Sequence, residues 1–220
     1  MVKLILTDLG NVVCRFWDRK KLFKCIVAHF GGNPQGVERL FPDVTNPGEH
    51  NEGLYEQLDT GRVNMRYIWS ELCHKCGIRE DSLPYDLFCS ILIGHLEPIL
   101  PVIKLYQKLY SDGVRFVAVS NGDLFARAFA EQLRIYHNLG FAHVLISCEQ
   151  RVKKPAMLET RVVPWLQKEG IDAKDCVFVD DLEQYCKAAR ILGLHAICYN
   201  ATKQGVDILY SELAKHGIRV

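Results

Sequence analysis

The sequence predicts an α/β fold: a Rossmann-like three-layer core built on a parallel sheet, with a helical cap inserted into it. Three observations carry that expectation. Short apolar runs recur along the chain, and from residue 96 onward stretches with helical spacing lie between them. Strand and helix in alternation give a parallel sheet with helices on both faces, because each crossover packs back onto the sheet. Three runs end in polar residues, Asp8, then Ser120 and Asn121, then Asp180 and Asp181, at the carboxyl ends where open α/β sheets gather their chemistry. Between 16 and 95 the rhythm breaks into a block that is helical in pattern, with no strand.

The elements follow in order. "LILTDLGNVV", residues 4–13, is an apolar run closed by Gly10 and Asn11, which reads as a buried strand followed by a turn. In the block after it, "RKKLFKCIVAHFG", "GLYEQLDTG", "NMRYIWSELCHKCG" and "YDLFCSILIG" each read as a helix, with the loop "FPDVTNPGEHNEG" between the first two. Inserted after the first strand, such a block sits above the sheet's carboxyl ends and can act as a lid. The alternation then resumes with a helix over 98–112 stopping at Gly113, a strand over 114–121, a helix over 123–138 and a strand over 143–149. A helix over 156–169 closing at Gly170, a strand over 176–181, a helix over 183–192 ending at Gly193 and a strand over 195–200 complete it. The expected division is a core of 1–15 and 96–220 and a cap of 16–95.

Basic and acidic residues nearly cancel, 27 against 26 for a formal charge of +1. That excludes a broad basic surface for nucleic acid or an anionic membrane and leaves small molecules or proteins as partners. An acidic residue interrupts the first apolar run too early for a signal core, and no run approaches the ~20 residues of a membrane span, so a soluble, cytoplasmic protein is expected. Nine cysteines at irregular spacing, several inside apolar runs, look reduced and buried. Cys73 and Cys76 form one C-x-x-C, but without a second ligand pair at suitable spacing they read as packing on one helical face. Oligomeric state is not legible.

Each polar residue at a strand end could be a cap or a turn residue. Their joint placement says more. A carboxylate nucleophile at Asp8, a hydroxyl for phosphate oxygens at Ser120, a lysine at Lys154 in "VKKPAM", and an acidic pair at Asp180 and Asp181 for a hard cation compose a phosphoryl-transfer site.

Those segments resemble the haloacid dehalogenase (HAD) superfamily: "LILTDLGNVV" looks like its first motif, "VAVSNGD" its second, "VKKPA" its third and "VFVDD" its fourth, in the family's order. The branch with "DLGNV", which includes glucose 1-phosphate phosphatases and lies near the phosphatase domain of soluble epoxide hydrolases, is the most similar, and "LYEQLDTGRVNMRYIWSELCHKCG" looks like its cap. The resemblance implies a hydrolase with Asp8 as the nucleophile that becomes an aspartyl phosphate. It implies Mg²⁺ as cofactor, held mainly by Asp181, with Asp180 in support and Asp8 and the Gly10 carbonyl completing the set. Ser120 and the backbone at Asn121 would hold the phosphoryl oxygens, and Lys154 would neutralise charge between nucleophile and phosphate.

The chain departs from the wider family at Gly10, where most relatives carry a second aspartate that protonates the leaving group, a service worth about 10²–10⁴ in rate. The "DLGNV" branch shares this departure. Tyr185, where relatives often have asparagine, and "KPAMLET" are two more. The reading that follows is a Mg²⁺-dependent phosphatase of a small phosphorylated metabolite, such as a sugar phosphate. Two alternatives stay open: a haloacid dehalogenase-type hydrolase, which needs neither metal nor acid, and a catalytically weakened binding protein. In and beside the cap, Arg15, Trp17, Glu56 and Arg62 are candidates to contact substrate, each with a surface or packing role as its plainer alternative.

Overall fold

A computed structural model of the chain describes residues 2, 4–15, 18–42 and 53–218. Five parallel strands form the central sheet in the order β5-β4-β1-β6-β7, with β1 Leu4–Thr7, β4 Arg115–Ser120, β5 His143–Ile146, β6 Cys176–Asp180 and β7 His195–Cys198. Side chains alternate faces along these strands. Ile5, Phe116, Ala118, Val177 and Val179 pack under α6 (Leu100–Ser111), α7 (Leu124–His137) and α11 (Val206–Lys215). Leu4, Leu6, Val117, Val119 and Phe178 pack on the other face against a π-helical turn Leu158–Val162, α9 (Val163–Lys168) and α10 (Glu183–Ile191). The three-layer α/β core expected from the sequence is therefore present.

The inserted block is helical, with α1 Arg19–His29, α2 Gln35–Leu40, α3 Leu54–Asp59, α4 Met65–Cys76 and α5 Tyr85–Gly94. Its buried apolar residues, from Leu22 to Leu92, make a hydrophobic cluster of their own, with Phe23 stacked on Phe88 and tilted against Phe41. Cys73 and Cys76 are buried in that cluster, three residues apart on α4, as the packing reading expects.

Several details differ from the sequence expectation. A two-stranded antiparallel ribbon, β2 (Cys14–Arg15) with β3 (Glu97–Pro98), joins the two ends of the insertion; strands of two residues have no periodicity to read. The helix expected from 98 starts at Leu100, because Glu97 and Pro98 are in that ribbon. The strand expected over 143–149 stops at Ile146 and turns into the short α8 (Ser147–Gln150), where the buried Ser147 hydroxyl takes Gly122 N–H at 2.9 Å. The helices α2 and α11 are not among the expected elements. Among the described residues no helix is long and apolar enough to cross a membrane.

Candidate active site

Strand register sets the site. Thr7 is level with Ala118 of β4 and Val179 of β6, so Asp8 emerges beside the end of β6, its N–H donating to Val179 O at 2.8 Å. Ser120 closes β4 and Asp180 closes β6, on the two sides of β1. Lys154, from the loop after α8, joins them: its Nζ lies 2.5 Å from Asp180 Oδ2 and 3.2 Å from Asp8 Oδ1, with only 1% of its side chain exposed.

Each carboxylate is also fixed by amides. Asp8 Oδ1 accepts from Leu9 N at 2.8 Å and Asp180 Oδ1 from Leu182 N at 2.9 Å. Asp181 Oδ2 accepts from Asn11 Nδ2 at 3.1 Å and Asn200 Nδ2 at 3.2 Å. Asn11 reaches Asp181 from a left-handed conformation (φ 54°) in the turn after Gly10, a region that asparagine tolerates better than most residues. Gly10 is buried in that turn and bridges to Cys14. One oxygen from each of Asp8, Asp180 and Asp181 lies within 4.8 Å of the others.

The charge of this cluster is unbalanced. Burial opposes a charged Lys154, but Asp8 and Asp180 outweigh it and hold the ammonium above its ordinary pKa. Burial raises Asp180 above the usual carboxylate range; Lys154 pulls it down and Asp8 pushes it up again. Asp181 is raised as well, by burial first, with the Asn11 hydrogen bond opposing. Three carboxylates share one ammonium, so the set can hold a hard divalent cation whose charge offsets the excess.

Ser120 is buried and its hydroxyl is 3.5 Å from Asn121 O, too long to use up its hydrogen-bonding capacity. The Asn121 side chain is engaged: Oδ1 accepts from Lys154 N at 2.8 Å and Nδ2 donates to Tyr185 OH at 3.1 Å. Tyr185, whose ring lies 5.1 Å from Lys154 Nζ, thus holds the lysine loop against β4 through Asn121. Tyr185, Asn11 and Asn200 are the site residues that the sequence reading did not assign. Asn200 ends the apolar run "HAICYN", the same signal that marks Asp8 and Asp180, and Asn11 follows Gly10 directly.

The cap helices meet the core along a seam at the ends of β4 and β5. Arg19 pairs with Asp59 at 3.1 Å and with Asp123 at 3.7 Å, and Lys153 pairs with Glu56 at 2.6 Å. Ser147 Oγ donates to Asp59 O at 2.6 Å. Gly61 (φ 66°) lies so close that a Cβ would come 2.1 Å from the Cys148 carbonyl oxygen. A cavity of about 450 Å³ opens here, lined largely by apolar groups such as Leu58, Met65, Tyr85, Ile93 and Phe125. Of the candidates in and beside the cap, Glu56 belongs to the seam, Arg15 pairs with Glu97 at 3.5 Å and Arg62 Nε donates to Thr60 Oγ1 at 3.0 Å, which are their plainer roles. Trp17 lies outside the described residues.

No family model matches the chain. Solved structures share its fold. A HAD family enzyme from Bacteroides thetaiotaomicron, in complex with magnesium and inorganic phosphate, is similar with a TM-score of 0.69 at 20% identity, over 94% of this chain and 99% of that one. A predicted HAD-like family hydrolase from Porphyromonas gingivalis gives 0.69 at 21% identity, over 97% and 98%. A 2-haloacid dehalogenase from Pseudomonas syringae pv. Tomato DC3000 gives 0.60 at 17%, over 98% and 99%. The chain has the Rossmann-like fold of these HAD enzymes.

Proposed function

We propose that this chain is a Mg²⁺-dependent phosphatase of the HAD superfamily that cleaves a small phosphorylated metabolite, such as a sugar phosphate, through an aspartyl phosphate on Asp8. We place it in the "DLGNV" branch, with a core of 1–15 and 96–220 and a cap of 16–95 that closes over the site. The observation that carries the reading is the gathering of Asp8, Asp180 and Asp181 oxygens within 4.8 Å around the buried Lys154. A dehalogenase has no use for a third carboxylate at that spot, where it would only add repulsion. All nine cysteines are free, which suits a reducing cytoplasm.

The donor set fits Mg²⁺, since it consists of hard oxygens and carries excess negative charge. Asp181 and Asp8 would hold the ion, with the Gly10 carbonyl and Asp180 in support; both Asp180 oxygens already serve Lys154 and Leu182 N. When bound, Mg²⁺ screens the substrate phosphate and lets it approach a carboxylate.

Asp8 attacks phosphorus, the bond to the leaving oxygen breaks, and the alkoxide takes a proton from water. Water then attacks the aspartyl phosphate, releasing inorganic phosphate and restoring the Asp8 carboxylate. Lys154 neutralises charge between Asp8 and the phosphoryl group, and Ser120 with the Asn121 backbone holds the phosphoryl oxygens. Gly10 supplies no proton, so rate depends on the leaving group. Phosphate release, measured with Mg²⁺ and with chelator across anomeric, aryl and primary alkyl phosphates, tests this. Release is expected only with Mg²⁺, and faster from anomeric and aryl esters by about 10²-fold or more. Release unaffected by chelator contradicts the proposal, and so does the absence of release from every ester.

A further inference from the structure

A second group of potential ligands stands behind the carboxylates, and its chemistry is different. Glu183 and Cys186 are three residues apart on one face of α10, and Cys198 is the last residue of β7, level with Asp180 in the sheet. A carboxylate oxygen of Glu183 and the two sulfurs lie within 4.8 Å of one another. The Cys186 Sγ is buried against Ile197 O at 3.5 Å, while Cys198 and Glu183 are exposed.

We infer that Glu183, Cys186 and Cys198 form a binding site for a thiophilic divalent cation of the Zn²⁺ class, separate from the hard-oxygen cluster. Two sulfurs and one oxygen about a tetrahedral ion with Zn–S near 2.3 Å stand about 3.5–3.8 Å apart, so ligand atoms that already lie within 4.8 Å of one another have to close by no more than about 1 Å. Solvent supplies the fourth ligand on the side where Cys198 and Glu183 are exposed, which is also the route of entry. On binding, each thiol gives its proton to water and a sulfur–metal bond replaces the S–H bond; no electron is transferred. Two thiolates and a carboxylate around a divalent ion leave one negative charge, and Arg190, paired with Glu183 at 2.8 Å, lies beside it. The guanidinium also donates to Ala196 O at 3.1 Å, which holds it across α10 and β7. The nearby Asp8, Asp180 and Asp181 offer oxygen alone and select a harder ion.

The test uses the full chain, reduced, with saturating Mg²⁺ to occupy the hard site, titrated with Co²⁺ as a spectroscopic stand-in for Zn²⁺. One equivalent is expected, with a thiolate-to-cobalt absorption band that Zn²⁺ abolishes and Mg²⁺ does not. Cys198→Ser alters an exposed residue and avoids the folding risk of Cys186→Ser; it should weaken uptake by about 10- to 100-fold or more and diminish the band, and Glu183→Gln should weaken it less. Cys73→Ser and Asp8→Asn should leave the band intact, which keeps this result independent of any phosphatase activity. No uptake by the reduced chain, a band that survives Cys198→Ser unchanged, or a band lost in Cys73→Ser overturns the site.

Discussion

The strand tips and the cap seam both place charged groups between packed elements, and they do so to different ends. At the tips, Asp8, Asp180 and Asp181 face the single ammonium of Lys154, whereas at the seam Asp59, Asp123 and Glu56 are each met by Arg19 or Lys153. The adjacent residues Lys153 and Lys154 go one to each region. At the seam every carboxylate has a cationic partner, and Arg19–Asp123 and Lys153–Glu56 tie the inserted helices to the core. The tips keep negative charge in excess within a buried site, which stabilises nothing by itself and, under the proposed function, becomes useful when a cation and a phosphate arrive. Three carboxylates face one cation at the tips and three face two at the seam, so the larger excess of negative charge lies at the strand tips.

That contrast can be broken by substitution, and the effects should fall in order. Lys154→Met removes the ammonium between nucleophile and phosphate and should lower kcat on the order of 10²–10³-fold, read by phosphate release at saturating Mg²⁺. An unchanged kcat would mean that the tips do not work as described. Asp181→Ala should weaken Mg²⁺ by about 10- to 100-fold, and by more than Asp180→Ala does, because Asp180 is already committed to Lys154 and Leu182 N. Titration with Mg²⁺ ranks the two, and the reverse order would exchange their roles.

Two smaller effects sharpen the seam. Gly61→Ala would drive a Cβ into the Cys148 carbonyl at a left-handed φ and should destabilise the chain by about 1–3 kcal/mol in denaturant unfolding. A neutral result would show that cap and core are not in contact there. Lys153→Met breaks a partly exposed pair with Glu56 and should cost no more than about 1 kcal/mol, leaving kcat within a few-fold and shifting mainly KM. A loss of kcat matching that of Lys154→Met would erase the distinction between the neighbours.

The two regions also differ in how far sequence discloses them. Asp8, Ser120, Asp180 and Asp181 stand at the ends of apolar runs, so strand register alone brings them together, and a short spacing pattern is enough to find them. Asn200 was legible by the same sign. The seam was not: Arg19, Asp59 and Asp123 lie on separate helices or their caps, and which faces meet depends on how the cap cluster docks, which helical spacing does not encode. The same limit explains Glu56, whose spacing allows a substrate contact but whose partner is Lys153. Tyr185 reads as a departure from a family pattern, and only the fold shows it bonded to Asn121 and thereby to the Lys154 loop. The ribbon of Cys14–Arg15 with Glu97–Pro98 is too short for periodicity to reveal.

The central claim is that the unbalanced cluster at the strand tips delivers a carboxylate to phosphorus. Asp8→Asn tests it most directly, since the side chain keeps its shape and loses only the nucleophilic charge. Wild type and variant should be compared for phosphate release from an aryl or anomeric phosphate in saturating Mg²⁺, with unfolding curves to establish that both are folded. The account predicts steady release by the wild type and none above buffer from the folded variant; undiminished release by Asp8→Asn would contradict it.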